Sequence, residues 1–129
     1  MASQLKVDTL TGVTTAGSIS VTGEGNSTTT NLQQGLAKAW LKYDQATTTA
    51  IDVSFGVSGI TDEGTGDATT AFTNAFSSAD FAHSGFAKEN GLINWKSCAA
   101  GNIRCVTITT SASNADYDEV AIILFGGLA

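Results

Sequence analysis

Proline is absent from this 129-residue chain, histidine occurs once (His83), cysteine twice (Cys98 and Cys105), and basic residues only six times. Each shortage removes a class of function. Six Lys and Arg against twelve Asp and Glu leave a net charge of −6, with Lys38 and Lys42 the only close basic pair. Binding nucleic acid through its phosphates needs clustered cations, so no nucleic-acid partner is expected. One histidine cannot make a multi-histidine zinc site within a chain, and two cysteines do not complete a four-ligand set. Neither a metal nor a cofactor is expected. No apolar run approaches the roughly 18 residues of a membrane span, which predicts no membrane insertion. The opening MASQLKVDTL lacks a basic stretch leading into an apolar one, so no secretory leader is read and assembly in the cytoplasm is expected.

Aromatic residues are also missing from the first 39 positions; all of them lie between Trp40 and Phe125. The opening segment is rich in Thr, Ser and Gly, with short alternations at Leu5-Lys6-Val7 and Ile19-Ser20-Val21. Such pieces suit extended strands laid on another surface. They cannot make a core alone. Two regions follow: an extended attachment arm over residues 1–34 and a mainly β domain over 35–129.

What is present beyond Gly35 is a period of two. Ala37, Ala39, Leu41 and Tyr43 share one face of a strand, with Lys38, Trp40, Lys42 and Asp44 on the other. Ile51, Val53, Phe55 and Val57 alternate with polar or small residues, which predicts one half-buried strand. The parity slips at Ser58-Gly59-Ile60, as at a bulge. Thr61 to Asp67 has turn chemistry, and Thr69 to Phe76 predicts a strand with Phe72 and Phe76 on one face. Phe81 to Ala87 and Cys105 to Ser111 are further strands, the latter with Val106 and Ile108 in parity. Lys88 to Asn102 reads as a long connection holding Trp95 and Cys98. Glu119 to Phe125 is apolar on both faces, as in a central strand or one buried between subunits. Thr28 to Leu36 allows one helical turn, stopped by Gly35. The fold class expected is mainly β, an antiparallel sandwich.

No group of residues stands out as catalytic. His83 lies on an expected strand, and although Asp80 and Ser84 are near in sequence, no nucleophile motif surrounds them. Asp62, Glu63 and Asp67 gather carboxylates in a glycine-rich loop without the helix-loop-helix spacing of a calcium site, so a solvated turn is expected. The long polar loops 62–67 and 88–103 are the candidate contact surfaces, through Asp62, Glu63, Asp67, Lys88, Glu89, Asn90 and Trp95. Cys98 and Cys105 are spaced so that a hairpin could close a bridge between them. A bridge over so short a loop would contribute roughly 2.5 kcal/mol, while a cytoplasmic setting favours free thiols. Trp40, flanked by Lys38 and Lys42, could stack on a sugar or pack against a neighbouring sheet or a sister chain.

The stretch Gly35 to Phe81, GLAKAWLKYDQATTTAIDVSFGVSGITDEGTGDATTAFTNAFSSADF, resembles a segment of small virion structural proteins of tailed bacteriophages, particularly marine phages, often described as tail-fibre-like. MASQLKVDTLTGVTTAGSISVTGEGNS is similar to the opening of such proteins. The resemblance implies a structural part of the virion, assembled in the host cytoplasm, rather than an enzyme. It implies a homotrimer, attached to other virion proteins through residues 1–34 and offering the sandwich to a host glycan or protein. A tail-fibre or tail-tip part is the first expectation. A trimeric capsid decoration protein is the alternative. At AKAW the resemblance favours Trp40 packing over sugar binding.

Overall fold

The computed structural model describes residues 4–13, 19–23 and 28–127. The chain divides between Gly35 and Leu36 into two units. In the first, β1 (Ser20–Thr22) pairs antiparallel with β2 (Thr29–Asn31), closed by Gly23 N–H donating to Thr28 C=O at 2.8 Å. These strands pair with each other, where unpaired extended pieces were expected. A single turn of helix, α1 (Leu32–Gly35), follows where the sequence allows one. The rest of the expected arm lies partly outside the described residues.

The second unit is mainly β. Its strands are β3 (Ala37–Asp44), β4 (Ala50–Phe55), β5 (Val57–Gly64), β6 (Asp67–Phe72), β7 (Ala82–Ala87), β8 (Leu92–Ala99), β9 (Asn102–Ile108) and β10 (Val120–Phe125). They form two four-stranded sheets, ordered β4-β3-β10-β7 and β5-β6-β9-β8, and every pairing is antiparallel. Both sheets contribute to one apolar core in a sandwich-like arrangement: Leu41, Tyr43, Val120, Ile122 and Leu124 from the first, Ala68, Phe72, Ile103 and Cys105 from the second. The apolar closing run does form a central strand, β10. Burial in β3 alternates as its period of two requires.

Five expectations about strands are corrected. Ile51 to Val57 is two strands in different sheets, because Gly56 takes a φ of 69° and turns the chain across. A Cβ there would press into the Lys38 carbonyl, so the crossing needs glycine. The turn expected over Thr61–Asp67 shrinks to Thr65-Gly66, since β5 runs on to Gly64 and β6 starts at Asp67. Lys88–Asn102 is no long connection but a short turn followed by β8. The strand expected at Cys105–Ser111 starts and stops earlier, burying Ile103, Cys105 and Thr107 in place of Val106 and Ile108. Phe76 falls beyond β6, yet its ring meets Phe72 at 5.0 Å and Phe81 at 4.5 Å inside the core. The slip expected at Ser58-Gly59 is present as a register shift between Val57 and Gly59.

Candidate interaction surface

The side chains of β4-β3-β10-β7 that point away from the core form two cross-strand rows. One row is Phe55, Trp40, Ile123 and Ser84; the next is Val53, Lys42, Ala121 and Phe86. Trp40 and Phe55 lie ring on ring, with centroids 6.5 Å apart and planes 23° from parallel. Trp40 and Ile123 are each 37% exposed, Val53 49%, Phe55 57% and Phe86 65%. An antiparallel sheet with one face to water ordinarily alternates apolar-in with polar-out. Here both faces are apolar.

A β-bulge creates part of this surface. Lys42 opposes Val53 but Tyr43 opposes Ile51, leaving Asp52 as the extra residue. The bulge sends Ile51 toward the core while keeping Val53 and Phe55 outside. It also brings the Asp52 carboxylate 3.5 Å from Lys42 Nζ, which lies 2.7 Å from Glu119 Oε1. The hydrogen bond to Glu119 holds the Lys42 proton more tightly than usual, and Lys42 in turn lowers the Glu119 pKa. The charged group within the two rows is therefore neutralised in place.

The outer face of β5-β6-β9-β8 is built differently. Arg104 donates through Nε to Asp67 Oδ1 at 2.8 Å and through Nη2 to Oδ2 at 2.9 Å, and Lys96 Nζ donates to Oδ2 at 2.7 Å. Glu63 reaches Arg104 at 3.7 Å and accepts from Thr69 Oγ1 at 2.9 Å. Asp67, only 5% exposed beneath these cations, has its pKa held down to about 2, chiefly by the Arg104 hydrogen bonds. This network belongs to one sheet face and is satisfied within it.

Several expected contact residues fall elsewhere. Asp67 is buried, not a loop contact, because Lys96 and Arg104 cover it. Trp95 is not in a loop either: it points inward from β8, half-buried against the core, its ring 4.0 Å from that of His83 on β7. Together they close the side of the sandwich between the two edge strands. Asp62 and Glu63 lie exposed at the end of β5, where Asp62 Oδ1 accepts from Gly64 N–H at 2.9 Å. Lys88, Glu89 and Asn90 make the turn between β7 and β8; Glu89 has a φ of 61°, and Lys88 pairs with Asp118 at 2.8 Å. Cys98 and Cys105 are free thiols rather than a bridge: they are not register partners, Cys98 facing Ile103 and Cys105 facing Trp95. Burial pushes the Cys105 thiol up to about 12 and raises that of Cys98 as well, which disfavours the reactive thiolate.

A second polar cluster lies inside. Thr107 Oγ1 is 2.7 Å from the Ala115 carbonyl, 3.0 Å from Gln45 Oε1 and 3.2 Å from the Gly66 carbonyl. One hydroxyl proton cannot serve three acceptors. Gln45 Nε2, meanwhile, is buried without a partner. Turning the amide by half a revolution lets Nε2 donate to Thr107 Oγ1 and frees the hydroxyl proton for Ala115, leaving Oε1 rather than Nε2 as the unpaired amide atom. The cluster thus pins the 109–119 connection to the sandwich. Among the described residues no cluster of His, Cys, Asp and Glu could hold a metal, and no helix is long and apolar enough to cross a membrane.

The outward apolar rows are what sequence reasoning missed in part. Trp40 is legible as outward from its alternation with Leu41. Phe55 reads as inward until the bulge is known, and Phe86, next to Gly85, carries no distinguishing local signal. No protein-family model, curated protein or solved structure matches this chain.

Proposed function

We propose that this chain is a structural protein of a tailed-bacteriophage virion, a homotrimeric tail-fibre or tail-tip component that contacts the host surface. The observation that carries this reading is the resemblance of Gly35–Phe81 to segments of such proteins. The geometry lends support through a sandwich with one apolar outer face, since a contiguous exposed apolar patch marks an interaction site. In this reading residues 1–34 attach the sandwich to other virion proteins. Leu5, Val7, Leu10 and Val13 are exposed there, and strand addition along a partner's edge would give backbone hydrogen bonds as grip. The polar outer face of the second sheet and its flanking turns then remain for a host glycan or protein. The role is one of holding and contacting, without chemistry on the receptor.

Copy number tests it. Quantitative mass spectrometry of purified particles should find tens of copies or fewer, whereas hundreds would make the chain a capsid decoration protein, and none would end the virion reading. Removing residues 1–30 should abolish incorporation and leave a folded β-rich remainder by circular dichroism. Incorporation of the truncated chain would move the attachment site into the sandwich.

A further inference from the structure

We infer that the outer face of β4-β3-β10-β7 is the surface through which copies of this chain associate, with Trp40, Phe55, Phe86 and Ile123 as its contact residues. The count of three rests on the function proposed above; the choice of face does not.

Three observations converge on a like partner. The first is pattern. β3 and β10 are the central strands of their sheet, yet Trp40 and Ile123 point outward from them, flanked by Phe55 and Phe86 on the edge strands. A face meant for water carries polar side chains at such positions, as Asp67, Arg104 and Lys96 do on the other sheet, where Leu92, Val106 and Ile108 also face outward at one end.

The second is area. With about 150–250 Å² per aromatic side chain, the exposed fractions of Trp40, Phe55 and Phe86 leave roughly 300 Å² of ring surface uncovered. Val53 and Ile123 raise the patch to roughly 450 Å², against about 800 Å² per partner in a standard interface whose core is about two-thirds apolar. The patch therefore matches the apolar core of one protein–protein interface, with Ser84 and the Lys42 stem at its edge.

The third is charge. Lys42 sits between Glu119 and Asp52, one cation against two carboxylates, so the rows offer no free basic group to an acidic partner and carry a single net negative charge at their edge. Copies gathered about one axis through this face bring only one net negative charge each to the contact, although the chain as a whole carries −6. Lys42, the one charged side chain within the rows, keeps its partners when the rows are covered, which lowers the penalty of burying them.

Light scattering on the full chain, with variants on each outer face, tests this. The wild-type chain should be oligomeric at micromolar concentration. Phe86→Glu and Trp40→Glu should each weaken association a hundredfold or more, since an unpaired carboxylate would enter the buried centre of the interface. Asn94→Glu, exposed on the edge strand of the opposite sheet, should leave the oligomer unchanged. Circular dichroism checks that each variant is folded, and Phe86→Ser replaces any glutamate variant that is not. An oligomer that survives Phe86→Glu and Trp40→Glu overturns the assignment of the face while leaving the virion role standing. A monomeric wild type, or one that associates only with lipid vesicles, overturns self-association itself, and particle copy number then decides the virion role separately.

Discussion

The two outer faces of this sandwich come from strands of similar length and identical antiparallel pairing, yet they solve the problem of facing outward in opposite ways. On β5-β6-β9-β8 a buried carboxylate is held by two cations, and those cations remain partly exposed as the surface. On β4-β3-β10-β7 the one charged side chain of the outward rows is neutralised by its neighbours, and aromatic rings are the surface. A face finished with its own ion pairs needs no partner. A face finished with rings is unfinished in water. On the proposal made above, the side finished with rings is the one the molecule turns to its own kind.

Substitutions at adjacent residues of one strand break the comparison most severely. Leu41 is 2% exposed and points into the core, so Leu41→Ala should lower stability by about 2–5 kcal/mol in urea unfolding. Trp40→Ala, one residue away, should cost the dissociated chain less than about 2 kcal/mol. Equal losses would make the outer rows part of the folding core.

Acid titration sharpens the polar face. Asp67 is held at about 2 in the folded chain against an ordinary value of 3.8, so its contribution is complete above the ordinary value and is lost as the pH falls from about 4 to about 2. It amounts to about 2 kcal/mol. Asp67→Asn should remove that much at neutral pH and flatten the acid limb of the stability profile. An unchanged acid limb would show the network to be as weak as an exposed ion pair.

The smallest effect is expected on the apolar face. Glu119→Gln should leave the thermal midpoint of the dissociated chain unchanged, because an exposed pair contributes little. It takes the cluster of Lys42, Asp52 and Glu119 from a net −1 to zero, however, and should strengthen association several-fold. Indifference of both quantities would place Lys42 outside the interface.

Much of this was legible in the sequence. Strands with unbroken alternation, such as β3, and the doubly apolar β10 follow directly from a period of two. Two of the misread stretches share one physical cause, a local break in that period, whereas β9 alternates without a break and was misread in parity. In β8 the inward residues are Ile93, Trp95 and Cys98, because a bulge at Lys96 shifts the count; a strict alternation finds no strand there. The turn at Gly56 likewise divided one apparent strand into two, and the bulge at Asp52 shifted the parity within the first of them. Asp67 was misplaced for a different reason: Lys96 and Arg104 lie 29 and 37 residues further along, beyond any local window. Of the candidate surface, Trp40 could be placed outward from sequence, but the rows it joins exist only once β10 lies beside β3.

That pairing has a consequence for how the molecule is made. The first strand of the sandwich takes as its neighbour the last, Trp40 against Ile123 and Leu41 against Ile122. While the ribosome is still translating the intervening hairpins, β3 lacks its β10 neighbour and the first sheet cannot close. Closing so long a loop is entropically unfavourable and slow. The hairpins β5-β6 and β8-β9, whose contacts are local, are free to form first, and the aromatic face is completed only in the final step. Copies that meet before that step do so as open-edged intermediates, the species most inclined to pair wrongly. Assembly through β4-β3-β10-β7, as proposed, would thereby be timed by synthesis: the surface that joins copies comes into being only when β10 does.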